Sequence, residues 1–579
     1  MQAAPSAFED PAAESAGALH AVHWLCLALL LVLGALFRVG LVERLAPQRP
    51  EPDAYYALQL DVMTGHVPGG ATARGKAEQL YGAYPTFVVR PLAALLGERL
   101  YTPAPLDAPL PAHLAAAARP LVAVRTWCAA LCVLGLLGVF FLAREFVAPR
   151  AALVACAFVT FSLLHLVYSH QARPHAPHMT FQVWALWAAV RYLRRPSTAR
   201  LALAGLTLWA GLSSLQTGAF LAPAFALAVA LSATTKARKI AAAATAVSAW
   251  LLSKPFHVGG VELSSDGISM ASGGHAIELA ELNGGGVWPT WRVLSEQEPI
   301  AGSLALVGIV ALLVASRRGA TAMRPWLVLA GYAAPYLAFA LLNESTRDRY
   351  LIPLLPFFAL LAAFALERFA ALSSTRARLA WGLMASAALA LPVRDATLYW
   401  RTAAREDTLT QAAGWIQAQP AEATSRIVTS PYVVLPLAAT RSALESIPRR
   451  SADESAWNRY QLSLSAPPSA APLFDVRPFT PRREGKDGAE EALLARLDEL
   501  APTLIVLELS NRQRALPWHA RFEALVREHG ERVASFAPET AEAPRSELLE
   551  YGDVVGLRSR LRAASRMGPP LEIYRWMRR

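Results

Sequence analysis

Chemistry-bearing residues first gather in the stretch EPDAYY, where Asp53 stands about a dozen residues past an apolar run that ends near Val42. A carboxylate at that distance lies close to where the chain leaves an apolar phase, so it can meet one reactant from that phase and another from water. Tyr55 and Tyr56 beside it suit the wall of such a pocket. The same residues also fit a helix N-cap, because Pro52 and Asp53 precede a helix-like run to Met63.

Three further groups follow. In QLYGAYPTFVVRPLAALLGERLY, Tyr81, Tyr84, Pro85 and Arg90 lead into an apolar stretch too short to cross a bilayer. Rings and an arginine at that place anchor a segment in the membrane interface. Alternatively, Arg90 holds a lipid-linked phosphate and Tyr84 lines the pocket. In HLVYSHQARPHAPHMTF, the residues His165, His170, Gln171, Arg173, His175 and His178 stand at the mouth between two apolar runs, where ionisable groups are costly and point to function. Metal ligation competes there with hydrogen bonding of His170 and His175 to a phosphate beside Arg173. The spacing matches no ligand motif and no carboxylate is near, so no metal is assigned; histidines solvated in the interface are the plainer alternative. In NESTRDRYLIPLLPFFALL, Arg347 and Arg349 could clamp a phosphate with their planar donor forks, with Tyr350 beside them. Ion pairing among Glu344, Arg347, Asp348 and Arg349 would explain the same charges, as an exposed and weak network.

The elements that must position these groups are apolar. Of 579 residues 54% are hydrophobic and 17% charged, against about 25% charged in soluble domains. A soluble globular domain is excluded, and scattered Pro and Gly exclude a collagenous or disordered chain. Eleven segments read as membrane spans: 21–42, 121–143, 151–168, 179–192, 201–214, 219–231, 240–252, 300–315, 326–342, 350–366 and 379–391. The first is too long for a signal-peptide core and reads as retained. Loops after alternate spans carry Arg144 and Arg150, then Arg191, Arg194, Arg195 and Arg200, then Lys236, Arg238 and Lys239, then Arg317, Arg318 and Arg324, then Arg368, Arg376 and Arg378. This places them in the cytoplasm. Arg38, Arg44 and Arg49 at the end of the first span argue the reverse, against five agreeing loops. The net charge of +11 thus marks topology and gives no ground for nucleic-acid binding. The four cysteines, Cys26, Cys128, Cys132 and Cys156, lie within apolar runs and read as small core residues.

The fold expected is therefore mainly α: a polytopic membrane helical bundle of about 11 spans over residues 1–393, with a first extracytoplasmic loop at 43–120 and a middle loop at 253–299. Residues 394–579 form a C-terminal extracytoplasmic α/β domain, with helices at 408–417 and 521–528 and strands at 426–434, 503–509 and 572–576.

Taken in order, PDAYY, YGAYPTFVVRPLAALLG, RTWCAALCVLGLLGVFFLAREFVAPRAALVACAFVTFSLLHLVYSHQARPHAP, LALAGLTLWAGLSSLQTGA and DRYLIPLLPFFALLAAFAL resemble the polytopic C-type glycosyltransferases that use polyprenyl-phosphate sugars. These include the protein O-mannosyltransferases and lipid A aminoarabinose transferases. In the tail, LTQAAGWIQAQPAEATSRIVTSPY, PTLIVLELSNRQR and GPPLEIYRWMRR resemble the domain attached to bacterial members. No one motif is specific; the ordered set is.

The resemblance implies an inverting transferase of a multi-pass bacterial inner (plasma) membrane protein, with Asp53 as base or its orienting partner and Arg173, Arg347, Arg349 and Arg90 facing the departing lipid phosphate. It departs from the family pattern at Ala54, where relatives commonly have Glu, at His175, where many are acidic, and at Gln216, where many have Lys. The implied partners are a polyprenyl-phosphate-linked sugar, membrane lipid and an acceptor that is a lipid, glycan or protein. No cofactor is expected, with a divalent metal left open. The middle loop, with Gly284 to Gly286, Trp288 and Trp291, would cover the site or stack on a sugar. Two other classes compete: a transporter or flippase, against which no internal repeat is visible, and a noncatalytic membrane scaffold.

Overall fold

All eleven apolar segments are helical. The computed structural model describes residues 19–48, 60–61, 63–66, 88–253, 261–264, 267–272, 275–317, 320–369, 375–447, 455–481, 489–510, 516–538 and 557–577. The helices are α1 (Ala21–Val39), α2 (Arg90–Leu96), α3 (Leu110–Arg144), α4 (Pro149–Thr160), α5 (Leu163–Ser169), α6 (His175–Arg194), α7 (Thr198–Ser214), α8 (Leu221–Leu231) and α9 (Lys236–Ser253). After the middle loop come α10 (Val287–Gln297), α11 (Pro299–Ser316), α12 (Ala320–Leu342), α13 (Leu355–Phe369) and α14 (Thr375–Ala403). Proline stands at the first position of α4 and α11, where its fixed φ suits a helix start and its missing N–H is not needed.

Among the described residues, five helices are long and apolar enough to cross a membrane: Ala21–Val39, Leu110–Arg144, Pro299–Ser316, Ala322–Leu342 and Asp348–Phe369. The pair α4 and α5, bent by 58°, makes a sixth if taken as one broken span. The chain is an integral membrane protein. The remaining segments of the eleven are helices that are shorter or less apolar, so this criterion counts five or six spans rather than eleven.

The chain divides into two compact units. The first comprises Met1–Gly40, Arg74–Pro91 and Arg125–Thr397; the second comprises Leu41–Ala73, Leu92–Val124 and Leu398–Arg579. In the first unit α11 packs along α13, α6 along α7, and α8 along α12. Lipid offers no hydrophobic drive between such helices, so close approach decides their packing. Gly308 shows this, since a Cβ there would stand 2.2 Å from the carbonyl oxygen of Leu361 on α13. The middle loop holds an antiparallel sheet that the sequence reading did not foresee: β1 (Val261–Ser264), β2 (Gly267–Ser272) and β3 (His275–Glu278), with Val261 opposite Met270 and Ser272 opposite His275. Two residues separate each pair of strands, and the second separation is Gly273-Gly274, a hairpin signal in the sequence.

The second unit is built on a mixed sheet in the order β7-β4-β8-β10-β9. Its strands are β4 (Ile427–Thr429), β7 (Val476–Pro478), β8 (Leu504–Glu508), β9 (Gly530–Phe536) and β10 (Leu571–Trp576); β5 (Ala438–Ala439) and β6 (Leu473–Phe474) pair separately. β4 runs parallel to β7 and β8, and β10 antiparallel to β8 and β9. The helices are α15 (Thr408–Gln417), α16 (Arg441–Glu445), α17 (Ala456–Ser463), α18 (Glu490–Leu500), α19 (His519–His529) and α20 (Leu557–Ala563). The period-two pattern of β8 explains why it is buried on both faces. Leu504 and Val506 meet Leu409, Ala412 and Ile416 of α15, whereas Ile505 and Leu507 meet Leu493 and Leu497 of α18 and Phe522 of α19. The five tail segments expected from sequence are all present with the expected type. First-loop residues contribute to this unit. The Tyr101 hydroxyl donates to Asp61 Oδ1 at 2.8 Å, and Arg459 of α17 lies 3.4 Å from Asp61 Oδ2.

Candidate functional site

The broken pair α4 and α5 is held open by specific bonds. Ser162 caps α5 by accepting from the His165 amide at 3.0 Å, and its hydroxyl donates to Glu298 Oε1 at 2.5 Å. On the other side Arg38 of α1, fully buried, donates to the carbonyls of Val159 and Thr160 at 3.2 Å each and to His165 Nδ1 at 2.7 Å. An arginine always donates, so His165 accepts through Nδ1 and carries its proton on Nε2.

Beyond the break, α5, the turn that follows it and the start of α6 carry Tyr168, His170, Arg173 and His175, all buried. The 3₁₀ turn Asp348–Leu354 brings Asp348 and Arg349 to them. Tyr168 donates its hydroxyl to Asp348 Oδ1 at 2.7 Å, and the same oxygen accepts the Arg349 amide at 2.7 Å. The Arg173 guanidinium lies 5.9 Å from the Tyr168 ring centre, and that of Arg349 lies 5.3 Å from the Tyr350 ring. His175 stands between Tyr168 and Tyr350, 6.5 and 6.2 Å from their rings, and its Nδ1 has no hydrogen-bond partner among the described residues. Charged side chains acting on Tyr168 are Asp348, Arg173 and Arg349; those acting on His175 include Arg349 and Arg173. Among the described residues, buried Arg173, His175, Asp348 and Arg349 thus belong to one cluster built around the Tyr168 and Tyr350 rings.

Other sequence candidates lie apart. His178 is held within the helix bundle: Ser214 Oγ donates to the Gly211 carbonyl and so receives the His178 Nδ1 proton at 2.6 Å. Arg347 is exposed, and Glu344 is exposed and accepts from Asn283 Nδ2 at 2.5 Å, so the four charges at 344–349 form no single exposed network. Nor are the histidines solvated, since His165, His170, His175 and His178 are all buried. Arg90 is exposed on α2, and Tyr350 is half-buried. Asp53, Tyr55, Tyr56 and Tyr84 lie outside the described residues. Among the described residues no group of three or more His, Cys, Asp or Glu side chains is placed to hold a metal ion. Sequence reasoning did not single out Tyr168 or Glu298. For Tyr168 a hydroxyl-bearing side chain at the end of an apolar run was the available signal, and each partner lies more than a hundred residues away.

No curated protein matches the sequence. Among solved structures the chain is similar to the archaeal oligosaccharyltransferase AglB from Archaeoglobus fulgidus in complex with an inhibitory peptide and a dolichol-phosphate, with 12% identity, 90% of this chain and 73% of that one covered, and a TM-score of 0.44. It is similar to ArnT from Cupriavidus metallidurans bound to undecaprenyl phosphate, with 13% identity, 86% and 95% covered, and a TM-score of 0.40. A third similarity is to the arabinofuranosyltransferase AftD from Mycobacteria, with 15% identity, 97% and 42% covered, and a TM-score of 0.36. Residues 112–256, a quarter of the chain that includes Tyr168, Arg173 and His175, match the family described as dolichyl-phosphate-mannose-protein mannosyltransferase, so over that segment the resemblance to polytopic membrane glycosyltransferases rests on a family match.

Proposed function

We propose that the protein is a glycosyltransferase that moves a sugar from a polyprenyl-phosphate donor to a lipid, glycan or protein acceptor outside the cytoplasm, with inversion. The observation that carries this reading is the cluster of buried Arg173, His175 and Arg349 around Tyr168 and Tyr350, of which Tyr168, Arg173 and His175 lie in the family-matched segment. Buried guanidiniums present planar forks of donors to an anion, and a lipid-linked phosphate is an anion of matching geometry. Arg173 and Arg349 bind the phosphate, with His170 and His175 as further donors and Tyr350 beside the sugar. Arg90 and Arg347, both exposed, are assigned to the lipid approach.

The reaction is a single displacement. Asp53 takes the proton from the acceptor hydroxyl as its oxygen attacks the anomeric carbon; the bond from that carbon to the phosphate oxygen breaks, and polyprenyl phosphate leaves with the electron pair. Guanidiniums fixed in a water-poor site stabilise the charge that develops on the phosphate. Tyr55, Tyr56 and Tyr84 line the sugar pocket. No resident cofactor is needed for these steps. Residues 394–579 are assigned to the extracytoplasmic side, in a bacterial inner membrane with about 11 helical passes, some shorter than a full span.

The test is transfer of label from radiolabelled polyprenyl-phosphate hexoses and pentoses to a membrane extract by the purified chain in nanodiscs, with the product anomer read by NMR. Asp53→Asn is expected to lower transfer by about 10²–10⁴-fold at unchanged thermal midpoint. Wild-type protein that transfers no sugar from any such donor would sink the reading, and equal turnover by Asp53→Asn would remove Asp53 from it. A transporter or scaffold would give the first result.

A further inference from the structure

We infer that α10 is an interfacial helix whose outer face docks on the headgroup layer of the bilayer. With roughly 100° per residue, its side chains fall into three sectors. Thr290, Val293 and Gln297 are buried and face the protein, where α10 packs on α11, α12 and the turn that carries Asp348 and Arg349. Val287, Trp288 and Trp291 form a second sector and are 54%, 68% and 57% exposed. A third sector carries Arg292 and Glu296, paired at 3.3 Å.

A helix facing only protein and water would have no reason to present two indoles and a valine on one arc. Three sectors of this kind match three surroundings: protein, lipid and water. The occupant follows from continuity. Only Glu298 separates α10 from α11, one of the membrane-crossing helices, whose Leu306, Val310 and Leu313 are 58%, 61% and 62% exposed. Tryptophan at the end of a span belongs at headgroup level. The neutral Arg292–Glu296 pair adds no net charge, so the surface suits zwitterionic lipid.

The helix is fixed in place at both ends. Gly284 N donates to the Leu342 carbonyl at 2.9 Å, and Glu344 N to the Glu281 carbonyl at 3.0 Å. Gly286 is required there, since a Cβ would stand 2.0 Å from the Ala340 carbonyl oxygen. At the other end Glu298 accepts the Ser162 hydroxyl and, at 3.3 Å, the Leu164 amide. The docked helix thereby sets the Asp348–Leu354 turn within about one helix diameter, about 10 Å, of the headgroup layer.

The experiment uses the full chain with Cys26→Ser, carrying Trp288→Cys, Trp291→Cys or Glu296→Cys with a nitroxide label, in phosphatidylcholine nanodiscs. Collision with oxygen is compared with collision with a water-soluble nickel chelate. The oxygen-to-chelate ratio is expected to be several-fold higher at 288 and 291 than at 296. Any other pattern overturns the inference: preference for the chelate at 288 and 291 would mark a water-facing lid or sugar platform, and protection from both reagents would mark contact with a second copy. In unlabelled protein, Trp288→Phe with Trp291→Phe should remove part of the fluorescence quenched by brominated lipid, and unchanged quenching counts against docking. Neither measurement depends on transferase activity, so failure of that reading would leave this result standing.

Discussion

Glu572 in the tail and Asp348 in the membrane unit each stand among two arginines and one tyrosine, in opposite surroundings. Glu572, itself buried, accepts from Arg527 at 2.9 Å, from Arg532 at 3.1 Å and from the Tyr574 hydroxyl at 2.8 Å. Arg527 also pairs with Glu523 at 3.0 Å, and the two arginine side chains are 37% and 57% exposed, so water and salt screen their charge. Near Asp348 and Tyr168 stand Arg173 and Arg349, and those arginines are 3% and 8% exposed. The difference lies in access to water. Hydrated arginines of this kind serve structural ion pairs, whereas buried ones suit the anion proposed above.

The strongest way to break this comparison is to remove one buried cation. Arg349→Gln or Arg173→Gln should lower sugar transfer by about 10²–10³-fold, with a smaller effect on the thermal midpoint. A drop in midpoint with full activity would make the pair structural, like its counterpart in the tail. Glu572→Gln should do the reverse. It leaves two guanidiniums with a neutral amide and costs the sheet about 1–3 kcal/mol, read as lost hydrogen-exchange protection in β8 and β10 with transfer retained.

Asp61 sharpens the comparison through pH. Burial pushes its carboxyl above the usual range, against the opposing pull of Arg459 and the Tyr101 hydroxyl. A raised folded pKa means that its stabilising contribution is full below the unfolded value and is lost as pH rises through the folded one. Wild type should therefore gain midpoint relative to Asp61→Asn as pH falls from 7 to about 3.5, and a wild-type midpoint that falls relative to that variant on acidification would contradict the assignment. The smallest effect belongs to Arg575 and Glu531, 52% and 58% exposed at 3.2 Å, where Arg575→Ala should cost under about 0.5 kcal/mol in denaturant unfolding.

Periodicity made much of the fold legible. Runs of apolar residues located eleven helical segments of the membrane region, though not α2 or α10, and the short apolar run in TLIVLEL located β8, which is covered on both faces. The break at Phe161 and Ser162 was hidden inside segment 151–168, since its cause is a carboxylate 136 residues away that receives the Ser162 hydroxyl. The site was half legible. Histidines and arginines in apolar surroundings drew attention to 165–178 and 347–350, but Asp348 read as a neighbour of Arg347 and Arg349 when its bond is to Tyr168, 180 residues distant. Arg38, noticed only as a topological conflict, is a buried side chain committed to Val159, Thr160 and His165.

That commitment carries a schedule. Arg38 leaves the ribosome 121 residues before Val159, whose carbonyl it will bond. At roughly 5–20 residues per second, the interval is about 6–25 s. Through that interval the Arg38 guanidinium has its Gly34 carbonyl within α1 but none of its partners on α4 and α5, and hydrocarbon accepts such a group poorly. Completion of α1 as a membrane element therefore waits for α4 and α5. The helix that carries Arg38 is synthesised before its partners and settles only with them.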